Sequence, residues 1–379
     1  MKLLYILNYA NKLNQFSESA MLAARSLGWE FHVATNWGYE SDQERDADAR
    51  EHGIQLHQID FHRNPLHASN YRAYRQLFAL MQREKYDLVH CNTPIGGVTG
   101  RIAARRLGIQ PVIYEAHGFH FYQGAALSSW LIFYPIERML ARWTDALITI
   151  NTEDKRRAEN MRLRKDGRRF YLPGIGIDVS RYEDLPDDCL MLRDELKITP
   201  SDPLVLSVGE LNRNKNHGVV IRALAYLPSV HYAIAGKGEL LSNLMQVAQE
   251  QGVDDRVHFL GYRTDISQAY QSADIFCLPS FREGLSASIM EAMASGLPVV
   301  CSNIRGNRDL VLPGEGGMLI SPNDAPGFGK ALQAILADPQ LAQRMGEYNR
   351  NRIQGFSLEH VTALQRQIYE SISGTGGNA

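Results

Sequence analysis

Short apolar runs alternate with longer amphipathic stretches along the whole chain. In the first half the runs predict strands at about 2–7, 30–34, 54–59, 87–91, 111–116 and 146–150. In the second half they predict strands at about 204–209, 231–236, 257–261, 275–280, 298–302 and 317–320. Strands that alternate with helices favour parallel sheets covered by helices on both faces. We therefore predict an α/β protein with two doubly wound sheets, closed by amphipathic helices at 340–353 and 357–372.

Residues directly after the predicted strands of the first half are candidates for ligand contacts, because ligands bind at the carboxyl ends of strands in such sheets. They are Asn8, Asn92 to Gly97, His117 to His120, and Asn151 to Glu153. The loop after the first strand, NYANKLNQFSES, lacks the G-x-G-x-x-G pattern. Its absence counts against a dinucleotide-dependent oxidoreductase.

The stretch 280–302, SFREGLSASIMEAMASGLPVVCS, predicts a loop and a helix that lead into a second apolar strand. Glu283 and Glu291 are eight positions apart, so a helix that starts near Ser286 puts Glu283 in the loop and Glu291 on the second turn. The free N–H groups at a helix start suit a diphosphate, and carboxylates accept hydrogen bonds from sugar hydroxyls. The stretch favours a sugar-nucleotide site; the alternative is an ordinary strand–loop–helix with solvated glutamates.

Composition narrows the class of protein. The length of 379 residues suits two domains, and the net charge of -2 predicts no general affinity for nucleic acid. No apolar run reaches the roughly 18 residues of a membrane-spanning helix, and no signal-peptide cleavage site follows the opening MKLLYIL. Cys91, Cys189, Cys277 and Cys301 lack metal-ligand spacing. Three of them lie in apolar runs, which predicts buried, reduced thiols in a cytoplasmic protein.

The 280–302 stretch resembles the signature of family 4 glycosyltransferases: a Glu-x7-Glu pair, EAMA, a small residue, Gly, x and Pro-Val-Val. The resemblance extends along most of the chain. It implies the GT-B fold, in which two doubly wound Rossmann-like domains face each other across a cleft. The glycine-rich segment 171–182 resembles the family's linker, which implies an acceptor domain at 1–170 and a sugar-nucleotide donor domain at 171–356. In the family the final helix, here 357–372, packs back on the first domain.

The resemblance also gives roles to the residues of this stretch. Glu283 would contact the donor sugar near the reacting carbon. Gly284, Leu285 and Ser286 would present backbone N–H groups to the phosphates. Glu291 would accept hydrogen bonds from the ribose hydroxyls.

The loop VGELNRNKNH at 208–217 matches the family's donor-binding turn in part. Gly209 and Lys215 fall on family positions, and Lys215 would stabilise the charge that develops on the departing diphosphate. The family has arginine directly after the glycine, whereas this chain has Glu210. Arg213 is the candidate to replace the missing charge; the alternative is that Arg213 and Lys215 are ordinary loop cations.

Three other segments resemble the family. His117 in EAHGFHF matches the histidine that faces the reacting sugar; the alternative is a structural histidine at a strand end. IAGKGE at 234–239 resembles a turn near the nucleotide. Tyr262 and Arg263 lie in FLGYRTDI, a segment whose backbone binds uracil in relatives; the alternative is a simple strand-to-helix turn.

A metal site is not expected. Asp46-x-Asp48 resembles the metal motif of a different glycosyltransferase fold, but it lies in the polar, helix-like stretch ERDADAR with no strand before it. We expect a solvated helix face there, a metal-independent reaction and no cofactor.

Two segments of the first half are candidates for a membrane contact. The segment 123–143 is rich in aromatic and aliphatic residues, and 155–169 carries eight basic residues against Glu159 and Asp166. Apolar side chains beside a basic cluster can rest on an anionic bilayer. The alternative is a core helix followed by a solvated basic face.

The resemblance as a whole implies a retaining glycosyltransferase that moves a sugar from a nucleoside diphosphate, UDP above all, to a hydroxyl of a glycan or lipid-linked glycan. The implied setting is surface polysaccharide biosynthesis in the cytoplasm, at the inner face of the membrane. The first alternative is a nucleotide-sugar epimerase of the same fold, which needs no acceptor. The second is a non-catalytic partner that binds a sugar nucleotide, and Glu210 in place of arginine is its one support.

Overall fold

The computed structural model describes residues 1–374 apart from 12, 14, 40, 63, 66 and 183–190. The prediction for Cys189 therefore lies outside the described residues. The described chain divides into two compact units, Met1–Gly176 with the final helix, and Ile177–Ser357. Each unit is built around its own parallel sheet.

The first unit contains a seven-stranded sheet with the strand order β3-β2-β1-β4-β5-β6-β7. Its strands are β1 (Lys2–Ala10), β2 (Glu30–Trp37), β3 (Gln55–Gln58), β4 (Leu88–Asn92), β5 (Val112–Ala116), β6 (Ala146–Thr149) and β7 (Arg168–Tyr171). Its helices are α1 (Gln15–Ser26), α2 (Asp42–His52), α3 (Ser69–Glu84), α4 (Pro94–Leu107), α5 (Leu127–Ala141) and α6 (Thr152–Ala158). Apolar strands, buried on both sides by these helices, form the core.

The second unit contains a six-stranded parallel sheet with the order β10-β9-β8-β11-β12-β13. Its strands are β8 (Leu204–Val208), β9 (His231–Ala235), β10 (Val257–Gly261), β11 (Ile275–Leu278), β12 (Val299–Ser302) and β13 (Gly317–Ile320). Its helices are α7 (Met191–Leu196), α8 (Gly218–Ala223), α9 (Leu241–Glu250), α10 (Ile266–Ser272), α11 (Ala287–Ala294), α12 (Asn307–Leu310), α13 (Ala325–Leu336) and α14 (Pro339–Ile353).

The final helix, α15 (Leu358–Ser373), belongs to the first unit. Its Tyr369 stacks on Trp29, with ring centroids 5.4 Å apart, and its hydroxyl hydrogen-bonds His90 Nδ1 at 2.9 Å. These contacts join α15 to Trp29, directly before β2, and to His90 of β4.

The predicted doubly wound α/β sheets are confirmed, and every predicted strand overlaps an observed one. The pattern of apolar and polar residues does not predict β7, which begins at the end of the basic segment 155–169. β7 pairs with β6 alone, and Arg168 and Arg169 on it are exposed, so it shows little of the apolar pattern of a central strand. Cys91, Cys277 and Cys301 are buried and free, as predicted.

No helix in the described part of the chain is both long enough and apolar enough to cross a lipid bilayer.

Candidate functional site

The strand order of the second unit explains where its candidate residues meet. Chain order reverses between β8 and β11, which are parallel neighbours. The loops that leave the carboxyl ends of these two strands therefore diverge to opposite faces of the sheet and leave a crevice between them. Lys215 follows β8 and Glu283 follows β11, so both candidates belong to this crevice.

Hydrogen bonds join the loop after β8 to the loop after β11. The backbone carbonyl of Asn214 accepts from the N–H of Phe281 at 2.8 Å, and the Asn214 side chain donates to the carbonyl of Arg282 at 3.0 Å. Asn216, at the positive φ of 57°, donates its side-chain amide to the carbonyl of Pro279 at 3.1 Å. The segment with Lys215 is thus fixed against the segment with Glu283.

Lys215 and Glu283 form an ion pair. Lys215 Nζ lies 2.8 Å from Glu283 Oε1, and the two side chains are 20% and 14% exposed. A Cβ on Gly209 would lie only 3.1 Å from Lys215 Cε, so the glycine leaves room for the lysine stem. The ion pair keeps the ammonium group in place at the crevice, where an anionic ligand can reach it.

The turn IAGKGE supports the same loop from the other side. The N–H of Gly209 donates to the carbonyl of Ala235 at 2.9 Å. Gly236 has φ 156°, and a Cβ on it would lie 1.9 Å from the carbonyl oxygen of Gly209. Only a glycine allows the two backbones to approach this closely.

The helix in the signature stretch begins where the sequence predicts. α11 starts at Ala287, and the hydroxyl of Ser286 caps it by accepting from the N–H of Ile289 at 3.4 Å. Gly284 and Leu285 directly precede this cap. The first turn of α11 and the loop before it therefore present backbone N–H groups beside Glu283.

Sequence reasoning missed Arg305, in the loop after β12. Its side chain is only 7% exposed, and its Nε donates to the carbonyl of Glu283 at 3.4 Å. Gly306 beside it has φ 81°, and a Cβ there would lie 2.2 Å from the carbonyl of Gly284. The rule that post-strand residues contact ligands finds Arg305 when it is applied to β12, because β12 is the neighbour of β11.

Two tyrosines hold Glu291. The hydroxyl of Tyr270 donates to Glu291 Oε2 at 2.8 Å, and Tyr182 hydrogen-bonds the same carboxylate. Burial and the charge of Glu291 raise the pKa of Tyr182, so both tyrosines stay protonated as donors. A carboxylate has about four acceptor positions, so Glu291 keeps positions for further hydroxyl donors.

The other candidate side chains of the second unit are exposed or are paired with other residues. Arg213 is exposed and forms no ion pair with any described residue, and Glu210 is exposed and accepts from the side chain of Asn212 at 3.0 Å. Tyr262 is 74% exposed. Arg263 pairs with Asp265 at 2.7 Å and with Glu195 of α7 at 2.8 Å, so its side chain is held within the protein.

The first unit contains a buried polar cluster around His117, at the carboxyl end of β5. His117 Nε2 lies 3.0 Å from Asn92 Oδ1 and 3.5 Å from Glu115 Oε1. The other oxygen of Glu115 lies 3.2 Å from His90 Nε2, and His90 contacts Tyr369 on α15. Glu115 therefore bridges two histidines and connects His117 to the final helix.

Charge in this cluster is set by burial and by Glu115. Burial raises the pKa of Glu115, but the neighbouring His117 and His90 outweigh it and hold that pKa below its usual value. Burial lowers the pKa of His117 although Glu115 opposes the shift. Near neutral pH, His117 is therefore a neutral hydrogen-bonding group rather than a cation.

The aromatic segment 123–143 has two different faces. Trp130, Phe133 and Tyr134 pack on the core of the first unit. The other face of α5 carries exposed aliphatic side chains, namely Leu127, Leu131, Ile132, Ile136 and Met139. α5 is thus a core helix on one face and exposes aliphatic side chains on the other, and the membrane contact stays a prediction.

The polar segment with Asp46 and Asp48 forms α2, which has no buried residue. Asp48 accepts a hydrogen bond from Tyr39 and lies 3.1 Å from His52 Nδ1. The basic segment is partly engaged as well, since Arg157 pairs with Glu153 at 2.7 Å and Arg164 with Asp145 at 3.0 Å.

Two family models cover the two units. Residues 14–173 match the model described as "Glycosyl transferase 4-like domain", and residues 191–352 match "Glycosyl transferases group 1". The chain is 35% identical over 355 residues to the Bacillus subtilis protein EpsD, which carries the name of a glycosyltransferase, and the match covers 92% of this chain and 90% of EpsD. The chain belongs to the group 1 glycosyltransferase family. The prediction of a family 4 glycosyltransferase from the signature stretch is confirmed.

Other proteins similar to this glycosyltransferase agree with that assignment. An Escherichia coli enzyme named UDP-Gal:alpha-D-GlcNAc-diphosphoundecaprenol alpha-1,3-galactosyltransferase is 31% identical, with 77% of each chain covered. The crystal structure of Anabaena HepE in complex with UDP has a TM-score of 0.78 at 21% identity, and it covers 99% of this chain and 100% of HepE. The predicted GT-B fold is confirmed.

On the prediction that His117 faces the reacting sugar, we expect Glu115→Gln to lower the turnover of the glycosyltransferase by about tenfold, because Glu115 lies against His117 and a misplaced group at the reacting centre is costly. The substitution removes the charge beside His117 but keeps the side-chain shape. If the reaction needs neutral His117, activity falls as pH drops through the pKa of His117. The Glu115 carboxylate raises this pKa, so its removal lowers the pKa of His117 further. The acid limb of the pH–rate profile should therefore move to lower pH. An acid limb that stays in place in Glu115→Gln contradicts the claim that Glu115 influences the pKa of His117.

His217, the last residue of the loop that carries Lys215, makes the free energy of unfolding depend on pH. It is 1% exposed, and burial lowers its pKa to about 4. An unfolded histidine has a pKa of about 6.5, so between these values the unfolded state binds more protons. The stabilisation is complete above the unfolded pKa and is lost as pH falls toward 4.

We therefore expect the unfolding temperature to fall as pH drops from about 6.5 toward 4, and to fall less steeply in His217→Gln. Thermal unfolding followed by circular dichroism at several pH values measures this. Part of the fall remains in the variant, since burial also lowers the pKa of His57 in the first unit to about 4. Equal slopes for both proteins contradict the assignment to His217.

Proposed function

We propose that this glycosyltransferase transfers a sugar from UDP to a hydroxyl of a lipid-linked glycan, with retention of anomeric configuration, in surface polysaccharide biosynthesis. One observation carries the donor half of the proposal. The Lys215–Glu283 ion pair, at 2.8 Å, lies at the crevice between β8 and β11, directly before the first turn of α11. A cation and free backbone N–H groups at one place suit a diphosphate.

Each residue of the second unit then has a distinct task. The N–H groups of Gly284, Leu285 and Ser286 hold the phosphates, and Lys215 stabilises the charge that develops on the departing UDP. Only the part of this stabilisation that exceeds ground-state binding accelerates the reaction. The carboxylate of Glu283, released from Lys215 when the diphosphate binds, contacts the donor sugar.

The nucleoside is held at both of its ends. Glu291, oriented by its two tyrosines, accepts hydrogen bonds from the ribose hydroxyls. Asp265 and Glu195 already hold the Arg263 side chain. We therefore assign the contact with the uracil to the backbone of Tyr262 and Arg263. Two similar proteins support UDP: HepE was crystallised with UDP, and the name of the E. coli enzyme gives UDP-Gal as its donor. Within the Lys215 loop, Gly209 leaves room for the stem of the lysine side chain. Arg305 is a second cation beside Glu283.

The acceptor is assigned to the first unit. Neutral His117 contacts a hydroxyl of the reacting sugars, and the incoming hydroxyl attacks from the face that the diphosphate leaves. No metal enters this scheme, because Lys215 and backbone N–H groups supply the charge stabilisation. The name of the E. coli relative gives a diphosphoundecaprenol-linked acceptor, which supports a lipid-linked glycan here. The exposed aliphatic face of α5 is the proposed contact with the inner face of the cytoplasmic membrane.

A thermal-shift screen against UDP-, GDP- and ADP-sugars tests the donor, since a bound ligand raises the unfolding temperature. We expect UDP-sugars to give the largest shift, and we expect EDTA to leave it unchanged. A larger shift with GDP- or ADP-sugars contradicts the UDP assignment. Incubation with the donor alone separates the epimerase alternative, which would release an epimer without any acceptor. Proton NMR of the glycoside product reports whether the anomeric configuration is retained.

A further inference from the structure

A cavity of about 320 Å³ lies inside the first unit, between α4 and α5. Aliphatic and aromatic side chains form most of its lining, including Ile95, Val98, Phe119, Phe121, Ile132 and Ile136. This volume is at the lower end of the range of about 300–1,000 Å³ that small-molecule sites occupy. A single apolar chain fits a space of this size.

The few polar groups of the lining are already used within the protein. They belong to Asn70, Thr99, Tyr114, His120 and Glu137. The Thr99 hydroxyl donates to the carbonyl of Ile95 at 2.7 Å, and Glu137 accepts from Arg101 at 2.8 Å and from Tyr114 at 3.2 Å. A polar ligand would lose its own hydrogen bonds to water without replacement, so the cavity favours hydrocarbon.

The remaining polar lining residues fit this interpretation. The Asn70 side chain accepts from the N–H of His62 at 2.9 Å and donates to the carbonyl of Asn64 at 2.9 Å. The ring of His120 packs on Phe133, with centroids 4.6 Å apart.

The position of the cavity connects it to the proposed acceptor site. The lining segment Gly118–Phe121 directly follows His117 at the carboxyl end of β5. Ile132 and Ile136 line the cavity and are also 54% and 37% exposed, so the apolar surface of α5 continues into it. A hydrocarbon chain can thus enter from the outer face of α5 and end close to His117.

We propose that this cavity binds the first isoprenoid units of a polyprenyl diphosphate, the lipid part of the acceptor; the proposal rests on the lipid-linked acceptor of the proposed function. The chain in the cavity fixes the position of the lipid relative to His117 within the first unit. The acceptor in the name of the E. coli relative, alpha-D-GlcNAc-diphosphoundecaprenol, contains such a polyprenyl diphosphate.

Calorimetric titration with geranylgeranyl diphosphate, below its micelle concentration, tests the site in full-length protein. We expect binding to the wild type and a loss of about tenfold in affinity for Val98→Trp, which fills the cavity, and for Ile132→Gln, which makes its rim polar. Leu131→Gln is the matched control, because Leu131 is the preceding exposed residue of α5 and does not line the cavity. Ile132 is half exposed, so its variant is expected to fold even where Val98→Trp does not.

Two control ligands separate binding of the isoprenoid chain from binding of the diphosphate group. Inorganic diphosphate should bind much more weakly than the prenyl compound, and dodecyl diphosphate should bind less tightly because it lacks the branched chain. No binding of the prenyl compound, or equal loss in Ile132→Gln and Leu131→Gln, overturns the proposal. UDP is titrated into the same proteins: a wild type that binds the lipid but not UDP contradicts the donor assignment and leaves the cavity site standing.

Discussion

Lys215→Ala is expected to lower kcat by about 10²–10³-fold, the usual cost of removing one preorganised group that stabilises developing charge. The loop that carries Lys215 is hydrogen-bonded to the loop after β11, so its ammonium group needs little reorganisation when the diphosphate departs. The effect falls on turnover more than on donor affinity, because the backbone N–H groups of Gly284 to Ser286 still hold the phosphates. Initial rates of UDP release at saturating donor measure it.

The matched control for this prediction is Arg222→Ala. Arg222 is an exposed cation on α8 of the same unit and donates to the carbonyl of Gly218 at 3.2 Å. We expect its kcat to stay close to that of the wild type, and UDP titration of both variants checks that the donor unit remains folded. A kcat for Lys215→Ala within a fewfold of the wild type shows that this cation does not act on the leaving group.

Glu291→Ala is expected to raise the Kd for UDP by roughly 10–100-fold, since hydrogen bonds to a charged group contribute about 1.5–3 kcal/mol. The carboxylate is fixed by Tyr182 and Tyr270, so the ribose binds a group that is already oriented. Calorimetric titration with UDP measures the change. kcat at saturating donor should fall much less than in Lys215→Ala.

Tyr270→Phe is the control that separates orientation from direct contact. It removes the hydroxyl that donates to Glu291 at 2.8 Å and keeps the carboxylate, so we expect a smaller rise in Kd than for Glu291→Ala. UDP affinity that is unchanged in both variants means that the ribose binds elsewhere.

The local pattern of apolar and polar residues is sufficient to predict much of the fold. Apolar runs located the strands, and Ser286 in front of an apolar helical pattern located the start of α11. β7 was missed because an edge strand with two exposed arginines lacks an apolar pattern. That Lys215 and Glu283 belong to one site is expected only from the family resemblance, and their ion pair is not predicted, since the order of parallel strands is not encoded locally.

Contacts that depend on distant parts of the chain could not be predicted. Tyr182 and Tyr270 reach Glu291 from two other segments, and no local spacing indicates this. The sequence places Arg263 in a segment whose backbone binds uracil in relatives, and it does not indicate the ion pair with Glu195 of α7. Glu115 is one residue of a buried strand in the sequence, and only the packing of β4 and α15 surrounds it with His90 and Tyr369.

The most direct measurement of the central claim is a crystal structure of the protein with UDP bound. We predict the diphosphate between Lys215 Nζ and the N–H groups of Gly284 to Ser286, with the ribose hydroxyls on the carboxylate of Glu291. UDP bound with its phosphates away from Lys215, or in the first unit, contradicts the account.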